Sequence, residues 1–299
     1  MSASSPSSAL AGAGRVRRDR FPGRPDFWGL LLLAPALLLL FGLFGVPAVY
    51  SVIGALAGKQ GAPSLEHVRM AIGVYGKDIL FTAWLVCLSV AVTAALAVLI
   101  AGYLTLGSNR LAVRILGWLY RWPLFVPMIC AAQMMRSFLA KNGLLNNGLV
   151  ATGLLTPAGS ISLLDWRGVL ITFVWKQLPF VTLLLAGAMA SLDRSMIEAA
   201  RDLGAGRLRV LVGIVLPLVR GPLLVGCVLT FVTLMSVLSV PMMLTADTPT
   251  MITVDMAYRI NTFADYGTAD ALGLISYVMT MLVGWIYLRD AARQRGLSR

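Results

Sequence analysis

Apolar residues fall in long runs along this chain, separated by short polar connections. Six runs reach the roughly 20 residues a helix needs to cross about 30 Å of hydrocarbon. They are Trp28 to Ile53, Ile79 to Leu106, Leu116 to Phe138, Gly168 to Ala190, Pro222 to Leu244 and Ala271 to Leu288. Pro123, Pro127, Gln133 and Arg136 interrupt the third run, and Pro241 bends the end of the fifth. Membrane helices tolerate proline where neighbouring helices or water satisfy the freed carbonyls. Trp28, Tyr50, Trp118, Tyr120, Trp122, Trp166, Trp285 and Tyr287 lie near the ends of runs, where aromatic side chains anchor at the membrane interface. The pattern predicts an all-α integral membrane fold with six transmembrane helices.

Composition agrees. The chain is 58% hydrophobic and only 13% charged, with mean hydropathy +0.82, where soluble domains carry about 25% charged residues. The net charge of +12 has the size of a nucleic-acid signal, but its placement argues otherwise. Of the 25 Lys and Arg residues, 17 fall in the N-terminal segment, the second-to-third and fourth-to-fifth connections and the C-terminus. Seven fall on the other side, counting Arg136 near the end of the third run, and Lys176 lies deep within the fourth. That asymmetry predicts both termini in the cytoplasm of a bacterial inner membrane, a partnership with lipid, and no nucleic acid. Met1 to Gly14, rich in Ser, Ala and Gly, reads as a disordered tail. The run after Arg24 is too long for a cleaved signal peptide and lacks a small-residue cleavage pattern. Cys87, Cys130 and Cys227 each sit in apolar sequence without a companion at ligand spacing, and His67 is the sole histidine, so neither a metal centre nor a His-based triad is expected.

The connection from Ser191 to Gly221 is too polar to span and too patterned to be a plain linker. Ser195 with Glu198 three residues on fits a capping box. Ile197, Ala200 and Leu203 are apolar at helical spacing, and Gly204 suits a helix C-terminal turn. A second stretch follows, with Leu208, Leu211, Val212 and Val215 on its apolar side and Pro217 at its end. These features predict two short helices lying at the cytoplasmic face.

Glu198-Ala199-Ala200, three residues, Gly204, nine residues, then Ile214-Val215-Leu216-Pro217 resembles the EAA loop of type I ABC importer permeases, matching E-A-A-x3-G-x9-I-x-L-P throughout. The resemblance extends over roughly Trp28 to Leu288. It implies that the loop is a coupling helix docking on a cytoplasmic ABC ATPase dimer. Glu198 would face a basic residue of the ATPase, Ala199 and Ala200 would permit close approach, and Gly204 would make the turn. It also implies a second permease subunit, expected to be a different chain, and an extracytoplasmic solute-binding protein. ATP and magnesium would be held by the ATPase, with no cofactor in this chain. The only approach to a phosphate-binding G-x4-G-K-[ST] loop, Gly54-x3-Gly58-Lys59-Gln60, is one residue short and lacks the hydroxyl. The expected organisation is a basic N-terminal tail over residues 1–26, a permease domain over 27–290 with the coupling loop at 191–221, and a C-terminal tail over 291–299.

The solute is less legible. Arg201-Asp202-Leu203-Gly204-Ala205 and Asn142-Gly143-Leu144-Leu145-Asn146-Asn147 look most similar to the spermidine/putrescine-type branch, with the sugar-type branch next. No predicted span has an interior Asp or Glu, though a desolvated polyamine would want carboxylates. A neutral or anionic solute fits the lining better, so branch and physics disagree. The polar residues at membrane depth are Lys176 and Gln177 before Pro179, Gln133 and Arg136 in the third run, and Ser236 and Ser239 in the fifth. An ionisable group there normally faces a cavity or a partner, so Lys176 reads as pathway-facing, structurally paired or snorkelling outward. Gln133, Gln177, Ser236 and Ser239 read as candidates for the solute pathway or as helix-packing hydrogen-bonders. Asp247, Asp255, Arg259 and Asp265 in the last external connection read as solvated loop charges. A membrane enzyme would need converging nucleophiles, ligands or carboxylates, which the spans lack. A gradient-driven secondary transporter, the alternative function, would need inverted repeats, and none is evident.

Overall fold

The computed structural model describes residues 27–57, 63–245 and 249–296. The expected N-terminal tail, Gly58 to Gln60 and Asp247 lie outside the described residues. The chain divides into two compact units, Met1–Val49 and Tyr50–Arg299. The first carries α1 (Phe27–Leu40), a π turn (Phe41–Gly45) and the start of α2 (Val46–Leu56). Leu38, Phe41, Leu43 and Phe44 are exposed, as suits a helix whose surroundings are lipid rather than water.

The second unit follows as α3 (Glu66–Leu106), α4 (Arg110–Leu119), a 3₁₀ turn (Trp122–Phe125), α5 (Met128–Leu139), α6 (Leu144–Ala151) and α7 (Trp166–Ala190). Next come α8 (Arg194–Asp202), α9 (Arg207–Val210), a π stretch (Leu211–Val215), α10 (Leu216–Leu218) and α11 (Arg220–Met235). Last are α12 (Ser239–Leu244), α13 (Ile252–Phe263) and α14 (Tyr266–Gly296). Short polar residues set the starts of several helices. The Asn109 carboxamide accepts the N–H groups of Leu111 and Ala112. The Asp165 and Asp193 carboxylates accept those of Arg167 and Ser195, satisfying donors that a helix N-terminus leaves orphaned.

Among the described residues, four helices are long and apolar enough to cross a membrane: Leu33–Leu56, Glu66–Leu106, Trp166–Ala190 and Tyr266–Arg289. Two bent pairs bring the number to six if each is one span: Arg110–Phe125 with Met128–Ala151, at 108°, and Arg207–Leu218 with Arg220–Met235, at 76°. The third apolar run is therefore broken at Val126-Pro127, where neither residue is helical. Two connections expected as loops are helical instead. At 41 residues α3 is longer than a membrane requires, and its polar first turns pack against the 250–272 region. The last connection contains α13.

Packing centres on α3 against α7. Lipid gives helices little hydrophobic reason to associate, so close approach and internal hydrogen bonds matter more. Small residues meet that need: Ala97, Ala101 and Gly102 on α3 are buried. Buried Ser89 and Thr172 return their hydroxyls to the carbonyls of Leu85 and Gly168, at 2.7 Å each, and so need no partner across the interface. One core cluster joins Leu85, Leu139, Val169, Phe173, Leu234 and Leu244 from five helices. A second, at the end bearing α8, joins Leu106, Leu185, Met189, Ile197, Leu211 and Val215.

Candidate functional site

The segment α8 to α10 is built from short-range rules. Asp193, not Ser195, caps α8: its carboxylate accepts the Ser195 N–H at 2.9 Å. That backbone hydrogen bond holds the Asp193 carboxyl below its ordinary range. The expected Ser195 cap is thus displaced by two residues, because Asp193 adopts the extended backbone from which a cap reaches inward while Ser195 is already helical. At the other end, Ala205 N–H bonds the Ala200 carbonyl and Gly204 N–H bonds that of Arg201, at 3.0 and 2.8 Å. This pair is a Schellman closure. It requires a left-handed residue, and Gly204 takes φ +81° without a side-chain penalty.

Ile197 is buried against the spans while Ser195, Glu198, Ala199 and Arg201 are exposed, and Ala200 is half-buried. Among the described residues no hydrogen bond or ion pair engages the Glu198 carboxylate. The second short helix departs from expectation. Leu211 and Val215 are buried, but Leu208 and Val212 are exposed. The helix also runs past Pro217 to Leu218 and breaks at Val219. Pro217 follows the wider π stretch Leu211–Val215 and sits one residue from the end of the segment, so its missing N–H interrupts the ladder only where the helix is about to break. Ile214 and Leu216 are half-buried and Pro217 exposed.

Two arginines tie this segment to the turn between α3 and α4. Arg201 Nη2 donates to the Leu106 carbonyl at 3.1 Å, and Arg207 Nη2 to Ser108 Oγ at 2.7 Å. Beside them Leu211 packs onto Gly102, where any added Cβ would stand 2.7 Å from its methyl groups. Neither arginine contact has a local sequence signal, since the partners lie 95 and 99 residues away.

The polar residues at membrane depth do not form one cluster. The Lys176 ammonium donates to the carbonyl of Pro123 and, at 3.4 Å, to that of Leu124. It thereby satisfies the last turn before the break in the third run. Gln177 is buried with its Nε2 unpartnered. Exposed Gln133 lines a groove of about 670 Å³ together with Cys130, Met134, Ser137, Phe138 and Trp175. Ser236 returns its hydroxyl to the Thr233 carbonyl at 2.8 Å. Half-buried Ser239 opens α12, which packs against α5. Gln133 and Ser239 thus ride on contacting helices, while Lys176 and Gln177 sit on α7.

The other end of the bundle holds charges that are not simply solvated. Thr250 bridges two carboxyls: its N–H donates to Asp78 Oδ1 at 2.9 Å and its hydroxyl to Asp255 Oδ1 at 2.8 Å. Asp255 is buried, and burial pushes its carboxyl up to about 6. The Thr250 hydrogen bond opposes that rise, and Asp78 adds to it. Arg259 donates to the Tyr75 hydroxyl, pairs with Asp265 at 3.3 Å and lies over the Tyr75 and Phe263 rings. For Asp255, Arg259 and Asp265 the expectation of solvated loop charge is corrected, because α13 folds back onto α3 and encloses them.

The described residues thus form long apolar helices and two bent helix pairs, with packing centred on the α3–α7 interface and a short capped polar helix at one end of the bundle. The chain matches the family of binding-protein-dependent transport system inner membrane components over residues 25–295, and it belongs to that family. It is a permease of the type I ABC importer class. Among curated relatives, it is 25% identical over 283 residues to a sulfoquinovosyl glycerol transport system permease protein of Agrobacterium fabrum, covering 87% of this chain and 89% of that one. It is 30% identical over 158 residues to a spermidine/putrescine transport system permease protein of Haemophilus influenzae, covering 52% and 54%. Among solved structures, a chain of a bacterial alginate ABC transporter in complex with an alginate pentasaccharide-bound periplasmic protein superposes with a TM-score of 0.77. Its identity is 18%, with 90% of this chain and 95% of that one covered.

Proposed function

We propose that this chain forms half of a solute pathway and draws its energy from a separate ATPase dimer on which α8 docks. The carrying observation is α8 itself. It is a closed, capped helix seated by Ile197, and it presents Glu198 and Ala199 outward in the register of the EAA signature. A helix anchored underneath and unpartnered above suits a partner that must push on it. Ala199 and Ala200 leave room for a close surface, Gly204 fixes the turn, and Ile214, Leu216 and Pro217 lead the chain back into the fifth span.

In this reading the α8 face is cytoplasmic, as are both termini, and the six runs cross a bacterial inner membrane. Residues 27–290 form the permease domain around a coupling loop at 191–221, flanked by tails at 1–26 and 291–299. A second permease chain completes the pore, and a solute-binding protein delivers solute from the opposite face. Closure of the ATPase moves α8. The Arg201 and Arg207 contacts pass that movement to the α3–α4 turn, and Lys176 holds the far end of the same segment at the third-span break.

Gln133 and Ser239 are the residues we place on the pathway, with Gln177 and Ser236 beside it, and we assign Lys176 to holding the break. The groove around Gln133 offers an amide, a hydroxyl and two aromatic faces and no carboxylate. That chemistry suits a small neutral or anionic hydroxylated solute better than a polycation.

Affinity purification in mild detergent tests the docking. An ABC ATPase should accompany the wild-type chain and be lost from Gly204→Pro, which cannot adopt the positive φ of the turn. An ATPase retained equally by the variant would refute the docking role of α8. Absence of any ATPase from intact wild-type complexes would refute the energy source.

A further inference from the structure

Beneath α8 lies a cavity of about 530 Å³ that shares Glu198 and Arg201 with the docking reading but is otherwise unassigned, framed by the ends of α3 and α7, by α4 and by α8. Its lining is two-sided. Leu104, Val113, Met189 and Ile197 give it an apolar half, and Arg121, Arg201 and Tyr120 a polar one, with Glu198 at the same wall. Tyr120 is only 6% exposed, and its phenol oxygen accepts Arg121 Nε at 3.2 Å. Arg201 gives one N–H to the Leu106 carbonyl. A guanidinium carries five N–H donors, so both arginines keep donors to spare, and among the described residues neither lies within ion-pair distance of a carboxylate.

Two guanidinium groups and one carboxylate leave a single positive charge. A monoanion neutralises that charge, whereas a dianion would overshoot it. The neighbouring helix fixes the depth. On α4, Leu111, Ile115, Trp118 and Leu119 are exposed, and Trp118 meets Trp122 edge-on at 4.7 Å. Arg110 and Arg114 are exposed on the same helix. Exposed apolar and aromatic side chains mixed with arginine mark a helix lying at the membrane surface. A helix of that kind suits headgroup level, and the cavity beside it has cationic donors on one side and an apolar wall on the other.

We propose that this cavity binds a phosphodiester monoanion, supplied by the headgroup of an anionic phospholipid, with Arg121 and Arg201 on the phosphate and the Met189–Ile197 wall against the glycerol and first acyl carbons. The bound group bridges α8 to the start of the third span. A soluble phosphodiester would offer the same charge but would leave the apolar wall in water.

The test uses the full chain, with whatever subunits accompany it, washed in detergent containing equal phosphatidylglycerol and phosphatidylcholine, and lipid retained per chain is counted by mass spectrometry. The wild type should retain phosphatidylglycerol preferentially. Arg121→Gln with Arg201→Gln should lower that retention about tenfold or more, because charge-assisted bonds to phosphate are the strong ones, and should leave phosphatidylcholine unchanged. Gly117→Leu keeps both arginines and puts a bulky side chain into the cavity. A Cβ there meets only Leu104 Cδ2, at an ordinary 3.7 Å, so this variant should also release phosphatidylglycerol, and it decides the matter alone if the double variant fails to fold. Competition with glycerophosphoglycerol or inorganic phosphate separates the sources. No displacement supports the lipid, and displacement at millimolar concentration overturns the lipid assignment in favour of a soluble phosphate compound. Equal phosphatidylglycerol retention by the wild type, the double variant and Gly117→Leu would overturn the site.

Discussion

The two ends of the bundle handle charge in opposite ways. At the α8 end, Glu198, Arg201, Asp202 and Arg207 are exposed, and among the described residues only the two arginines of this set are bonded, each to an uncharged partner within the fold. At the opposite end, Asp78, Asp255, Arg259 and Asp265 face one another and the intervening Thr250 and Tyr75. Charge that a protein encloses must be compensated within its own fold. Charge left outside is available for something else. The contrast assigns the far-end cluster to holding α13 on α3 and supports the proposed docking of a partner at the α8 end.

Substitutions can break or sharpen that contrast. The largest loss of stability is expected for Arg259→Met. It removes the Tyr75 and Asp265 bonds and two ring contacts from a side chain only 17% exposed. It should cost about 2–3 kcal/mol in thermal or denaturant unfolding of the detergent-solubilised chain. A loss no larger than that of a surface mutation would return Arg259 to the status of a solvated loop charge.

Asp255→Asn comes next and acts through pH. The folded-state carboxyl titrates near 6, above the ordinary 3.8. Its protonated form therefore stabilises the fold fully below about pH 4, and that contribution is lost as pH rises through about 6. Wild-type stability, or amide protection in α13, should fall between about pH 4 and about pH 6 and level off above that, and Asp255→Asn should flatten the fall. A slope unchanged in the variant would locate the titration elsewhere.

Smaller still is Asp193→Ala. It frees the Ser195 N–H and should speed amide exchange in the first turn of α8 while leaving the global melting temperature unmoved. Ser195→Ala should leave that exchange as in wild type, since Ser195 does not cap. Glu198→Gln closes the series, with a stability change within about 0.5 kcal/mol but reduced recovery of the ATPase. If Glu198→Gln destabilised the chain as Arg259→Met does, the two ends would not differ in kind.

The same contrast explains what could be read in advance. At the α8 end the informative interactions are nearly all local. Gly204 sits at the turn that its position in the signature requires, and Asp193, Ala200 and Gly204 lie within one short helix and its caps. Even the error there, Ser195 for Asp193, was a two-residue displacement within one capping pattern. At the far end Asp78 and Thr250 are 172 residues apart, and Arg259 and Tyr75 184. Read singly, each looks like loop charge. Lys176 is intermediate: its depth demanded a partner, but only folding selected the Pro123 and Leu124 carbonyls among the readings open to it.

By itself, then, the sequence determined an all-helical membrane chain, its apolar runs and the capped, glycine-closed helix carrying the EAA signature. Hydropathy, capping and turn chemistry act over one to about twenty residues and need no distant partner. Only the tertiary structure decided the 108° break in the third run, the return of α13 onto α3, the arginine ties from α8 to the α3–α4 turn and the cavity beneath them. Each depends on which carbonyl, carboxyl or apolar wall a side chain meets after the chain has closed on itself. That meeting is fixed by packing among helices far apart in sequence.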